Sequence, residues 1–151
     1  MDYGCSFSGH RLVGTDLDLN LLCRVIENLI NFRGVTNFFC GMAKGFDLIA
    51  GECVIKLKEK YPNIKLFACV PHQGQADYYC AEDKRRYAEI LHSCNEIFTL
   101  STHYYNGCML YRDRYMVERT QFLVCFLREK KGGTFYTYNY AKKKGLQIIE
   151  V

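Results

Sequence analysis

Short β-rich runs alternate with amphipathic helical stretches along the whole chain, and most of the β runs empty into a glycine-bearing or polar loop. The β runs are residues 3–8, 36–40, 64–70, 96–100, 122–127 and 146–151. The helical stretches are residues 16–32, 46–60, 81–92, 109–120 and 134–144. In the first of these, Leu19, Leu22, Cys23, Ile26, Leu29 and Ile30 recur at helical spacing, with Asp16 placed to cap the start and Gly34 to end it. Regular alternation of this kind predicts one α/β domain over residues 1–151, a mainly parallel six-stranded sheet with helices on both faces. With 151 residues, such a domain buries about two-thirds of its unfolded surface and needs no covalent staples.

In a parallel sheet, ligands collect beyond the carboxyl ends of the strands, where strand order reverses. The loops expected there are the least ordinary segments of the chain. Ser8, Gly9, His10 and Arg11 follow the first strand. Gly41, Met42, Ala43, Lys44, Gly45, Phe46 and Asp47 follow the second and open a helix, where glycines allow close backbone approach and free N–H groups hold a phosphate. A plain strand-to-helix turn capped by Asp47 is the bland alternative. Pro71, His72 and Gln75 end the third strand and offer groups that read a base or a ribose, or simply solvate a loop. After Met109 at the start of the fourth helix, Arg112, Met116 and Arg119 fall on or near one face, with Arg112 in the first turn and able to project into the cleft; taken alone, Arg112 reads rather as a surface residue paired with Asp113 or Glu118. Gly132, Gly133, Thr134 and Thr137 follow a buried strand behind Lys130 and Lys131, a pattern suited to phosphate at a helix start.

Charge and cysteine usage narrow the partners. Twenty basic against sixteen acidic residues leave a formal charge of +4. That favours an anionic small molecule and argues against nucleic acid. Nine cysteines occur with no CxxC pair, so neither a zinc site nor a disulfide framework is expected. Several of them sit in apolar strand runs, where a thiol packs as a small hydrophobe; a reducing, cytoplasmic setting follows. There is no signal peptide and no apolar run of membrane-spanning length, so no membrane partner is expected.

Taken in order, the Ser8–Arg11, Gly41–Asp47, Met109/Arg112/Met116 and Gly132–Thr134 motifs resemble the SLOG superfamily of Rossmann-like domains, in its small, stand-alone YpsA-like branch. The resemblance spans nearly the whole chain. The Gly41–Asp47 turn is similar to that of DprA proteins, and the spacing of Met109, Arg112 and Met116 is similar to LOG phosphoribohydrolases, where that arginine is catalytic. LOG enzymes follow it with PGGxGTxxE. Here the matching stretch, Lys131 to Asn139, lacks the proline, the third glycine and the catalytic glutamate. The resemblance therefore implies a module that binds a nucleotide or nucleotide-derived signal of ADP-ribose, NAD or cyclic-nucleotide type, with no catalytic residue, no metal and no separate cofactor. It would act as a sensor, or as a sequestering sponge of the kind phages use against nucleotide-based immunity. A LOG-like nucleotide hydrolase and a DprA-like binder of single-stranded DNA are the alternatives. A homo-oligomer is also implied, with Tyr78, Tyr79, Tyr104 and Tyr105 expected on an exposed contact surface.

Overall fold

A computed structural model describes residues 2–151; Met1, the first residue of the predicted domain, lies outside them. Eleven elements follow in strict alternation: β1 (Tyr3–Gly9), α1 (Leu19–Arg33), β2 (Val35–Cys40), α2 (Phe46–Lys58), β3 (Lys65–Val70), α3 (Ala81–Ser93), β4 (Glu96–Thr99), α4 (Cys108–Val117), β5 (Phe122–Phe126), α5 (Gly132–Lys143) and β6 (Gln147–Glu150). The six strands form one sheet in the order β4-β3-β2-β1-β5-β6. Every pairing is parallel, so the sheet is fully and not merely mainly parallel.

The order grows outward from β1 to β4, then jumps back across β1 to β5 and β6. Right-handed crossovers then place α1, α2 and α3 on one face and α4 and α5 on the other. The burial of β5 shows both layers at once. Phe122, Val124 and Phe126 enter the large core with Leu22, Ile26, Phe46 and Val54, while Leu123 and Cys125 pack with Val117 and Ala141 behind the sheet. A strand covered on both faces reads as a continuous apolar run, which is what FLVCF is.

Two predicted helix starts move by two residues or more, and α4 starts one residue early, at Cys108. Asp18, not Asp16, caps α1: its carboxylate accepts the Leu21 N–H at 3.1 Å. Asp16 instead pairs with Arg128 at 3.1 Å. Helix α5 begins at Gly132, two residues earlier than residue 134, so both glycines lie inside its first turn. Gly34 ends α1 in the left-handed conformation as expected, with φ 69°. All nine cysteines are free, and Cys5, Cys40, Cys69 and Cys125 are buried on strands. No helix among the described residues is long and apolar enough to cross a membrane.

Candidate functional site

The reversal of strand order falls between β1 and β5, and an open cleft lies beyond their carboxyl ends. One chamber, of about 300 Å³, is walled by Ser8, Gly9, His10 and Arg11 after β1, by Ala43 and Asp47 at the start of α2, by Met109, Leu110, Arg112 and Asp113 on α4, and by Lys131, Gly132, Gly133 and Thr134 at the start of α5. A second chamber, of about 370 Å³, shares Arg11, Ala43, Met109 and Arg112 with the first. It continues under the loop after β3, along His72, Gln75, Tyr78 and Tyr79, to Tyr104.

Three helices, α2, α4 and α5, start at this cleft, and none of them has a side-chain cap. The two that start elsewhere, α1 and α3, are capped by Asp18 and Cys80. The N–H groups of Gly132, Gly133 and Thr134 donate to no acceptor among the described residues. A Cβ built on Gly132 or Gly133 meets nothing within 4 Å, so this turn is open on its outer side. Uncapped N–H groups and the positive end of the helix dipole together favour an anion.

Two arginines line the same chamber. Arg11 is exposed and has no ion-pair partner. Arg112 is 5% exposed and does not pair with Glu118. Its Nε donates to Asp113 at 2.7 Å and its Nη1 to the Gly41 carbonyl, leaving Nη2 without a protein acceptor. Asp113 also accepts the Thr137 hydroxyl at 2.9 Å, which ties α4 to α5 beneath the chamber. Asp47 is buried in the wall and accepts the Ala43 N–H at 3.2 Å. It does not cap α2, whose first flanking position is Gly45. Burial pushes its carboxyl up to about 7, against the opposing pull of Arg112.

Several predicted site residues build the walls from behind. Gly9 and Gly45 are required by packing: a Cβ would sit 2.4 Å from Phe46 in the first case and 2.2 Å from the Arg11 carbonyl in the second. The Gly41 carbonyl accepts from both Arg112 and Gln75. Met42 is a core residue that takes a positive φ of 63° to make the turn. Met116 packs with Phe39 and Phe67, away from the chamber, and Thr137 is buried behind Asp113. Pro71 is buried where β3 ends. His10 is a clamp, since its Nε2 accepts the N–H of Arg128 at 2.8 Å and of Glu129 at 3.2 Å, tying the end of β1 to the end of β5. Ser8 lines the chamber with no protein partner for its hydroxyl. Wall residues that the sequence did not place at the site are Leu110, Asp113, Tyr78, Tyr79 and Tyr104: Asp113 read only as a partner of Arg112 and the tyrosines as an exposed contact surface, because the crossovers alone bring them together.

The family model described as the YspA SLOG family (YpsA) matches residues 19–148. The chain belongs to the YpsA SLOG family. It is 31% identical over 134 residues to the SPbeta prophage-derived protein YoqJ of Bacillus subtilis, covering 81% of this chain and 78% of YoqJ. A UPF0398 protein of Halalkalibacterium halodurans is 29% identical over 118 residues, covering 76% of this chain and 62% of that protein. Among solved structures, the DNA processing protein DprA of Streptococcus pneumoniae superposes with a TM-score of 0.70 at 17% identity, over 98% of this chain and 50% of that one. DprA of Helicobacter pylori, whose structure describes a single-stranded DNA binding mode, gives 0.70 at 17% identity over 98% and 64%. The chain thus spans about half to two-thirds of the DprA chains, and the likeness to them is one of fold.

Proposed function

We propose that the cleft seats the phosphate of a nucleotide-type ligand and that this YpsA SLOG protein senses or sequesters the ligand without turning it over. The carrying observation is the set of three uncapped helix starts around one chamber, with Gly132, Gly133 and Thr134, whose N–H groups are free, lining it together with Arg11 and Arg112. An anion there gains helix-dipole and charge-assisted contacts together. The prophage origin of the YoqJ relative fits a sequestering role.

Asp47 favours a second reading, a nucleotide hydrolase. It is a carboxyl in the chamber wall with a pKa near neutrality, the range suited to general acid–base work. One experiment separates the two. Native mass spectrometry of the purified protein identifies co-purifying nucleotides. The protein is then incubated with ADP-ribose, NAD and cyclic nucleotides, denatured, and the released compounds chromatographed. Intact ligand at stoichiometry supports binding alone; free base or ribose phosphate in excess over protein makes this an enzyme. In calorimetry, Gly133→Asp should abolish binding with the fold retained, because it puts a carboxylate against the anion seat; unchanged affinity removes the α5 turn from the site.

The DprA likeness raises a DNA-binding reading. A groove for single strands predicts a steep fall of affinity with salt, whereas a single phosphate seat predicts a shallow one.

A further inference from the structure

The second chamber is built differently from the first. The loop leading into it is held rigidly: Gln75 donates to the Gly41 carbonyl at 2.9 Å and accepts the Tyr87 hydroxyl at 3.0 Å, and Tyr79 donates to the Met42 carbonyl at 3.0 Å. Both ends of the Gln75 amide and the Tyr79 hydroxyl are therefore engaged by the protein. His72 is only 9% exposed, yet its ring makes no hydrogen bond to the protein, and no ring nitrogen of it is sealed from the cavity. Tyr104 meets that ring at a near-right angle, with ring centroids 5.5 Å apart, and is 60% exposed. Tyr78, 99% exposed, also lines the chamber. Two exposed tyrosines beside a buried, unpartnered hydrogen-bonding ring suit a flat heteroaromatic ring, which can stack on tyrosine and be read at its edge. Arg112 and Arg11 belong to both chambers, so one molecule can span a ring here and a phosphate in the first chamber.

We propose that this chamber is the nucleobase subsite of the cleft, with Tyr104 and Tyr78 stacking on the base and His72 hydrogen-bonding its edge. The ligand class is thereby a nucleoside phosphate and not a bare sugar phosphate. This rests on the phosphate seat proposed above, and the test keeps the two apart. Calorimetry compares ribose 5-phosphate, adenosine and AMP on the wild-type chain and on Tyr104→Ala, Tyr104→Phe and His72→Ala, with thermal melts to establish that each variant is folded. AMP should bind the wild type on the order of tenfold or more tightly than ribose 5-phosphate, the usual scale of one base–aromatic stack. Tyr104→Ala should remove that advantage without changing ribose 5-phosphate affinity, and Tyr104→Phe should restore it. His72→Ala should flatten the preference among AMP, GMP, CMP and UMP. Equal wild-type affinity for AMP and ribose 5-phosphate overturns the subsite while leaving the phosphate seat intact, as does a Tyr104→Ala loss shared equally by both. Tyr104-dependent adenosine binding with no effect of the phosphate sinks the phosphate seat and leaves the base subsite standing. Much tighter, steeply salt-dependent binding of a short thymidine oligonucleotide than of any mononucleotide overturns the nucleoside phosphate in favour of a DNA strand.

Discussion

Asp47 sets the pH behaviour of the cleft. An ordinary aspartate titrates near 4, whereas burial holds this one at about 7. Between those values the folded protein keeps a proton that the unfolded chain has lost, so this group's contribution to stability falls as pH rises through that window. An anion in the chamber favours the protonated form further, so binding takes up a proton and affinity declines as pH rises past 7. ADP-ribose, whose pyrophosphate diester does not titrate there, is the suitable probe. Calorimetry at pH 6 and pH 8 should show weaker binding at pH 8, and Asp47→Asn should abolish the difference. Arg112 makes a separate demand. It sits between Asp47 and Asp113 with almost no access to water, so Arg112→Ala strands buried carboxylates and should cost about 3–5 kcal/mol in urea denaturation. That loss is structural, which makes Gly133 the cleaner probe of binding. Arg112 also shows where local sequence misleads. Asp113 beside it was visible as a partner, but helical spacing cannot say that the pair points inward.

At the level of elements, the alternation of period and the glycine punctuation were enough to give the order of strands and helices, because parallel strands buried on two faces carry a strong apolar signal. Helix starts were less legible. Asp16 and Asp18 flank the same turn, and only Asp18 reaches the Leu21 N–H; Asp16 is drawn away by Arg128, more than a hundred residues downstream. The early start of α5 could not be read because glycines usually end helices, and here two of them begin one. Met116 and Thr137 match a motif yet face the interior, since a motif fixes spacing and not which way a helix turns. Helices α1 and α2 carry another pairing that spacing hides. Cys23 and Cys53 bring their sulfurs to 3.3 Å, the Cys53 thiol being pushed up to about 12 by burial. A thiol held that firmly protonated exchanges slowly. Mass spectrometry should find no bridge in protein purified without oxidant. Prolonged exposure to oxidant should join Cys23 to Cys53 before any other pair; a different first bridge would contradict the α1–α2 packing.

Across the whole molecule, the cleft draws on loops after β1, β2, β3, β4 and β5, segments up to more than a hundred residues apart, and no short motif contains it. Tyr79 was expected on the surface but is half-buried, turned inward by the Met42 carbonyl. Tyr78 and Tyr104 are exposed as expected and also line a chamber. A homo-oligomer remains our expectation, and the exposed Phe32 and Tyr105 are available to it. Light scattering at working concentration should give a mass of at least two chains. The helices left uncapped at the cleft have a further consequence, for heat. The first N–H groups of α5 have no acceptor among the described residues, so an occupant makes good what the fold leaves out there, and the melting temperature becomes a reporter of occupancy. At a hundredfold excess over its dissociation constant, a ligand adds about 2.7 kcal/mol. Lys131→Asp supplies an internal cap to α5, worth about 1 kcal/mol, and places a negative charge at the anion seat. Such a variant should melt higher alone and gain less from ligand, an intrinsic opposition between rest stability and responsiveness that a thermal scan of anionic metabolites can read directly.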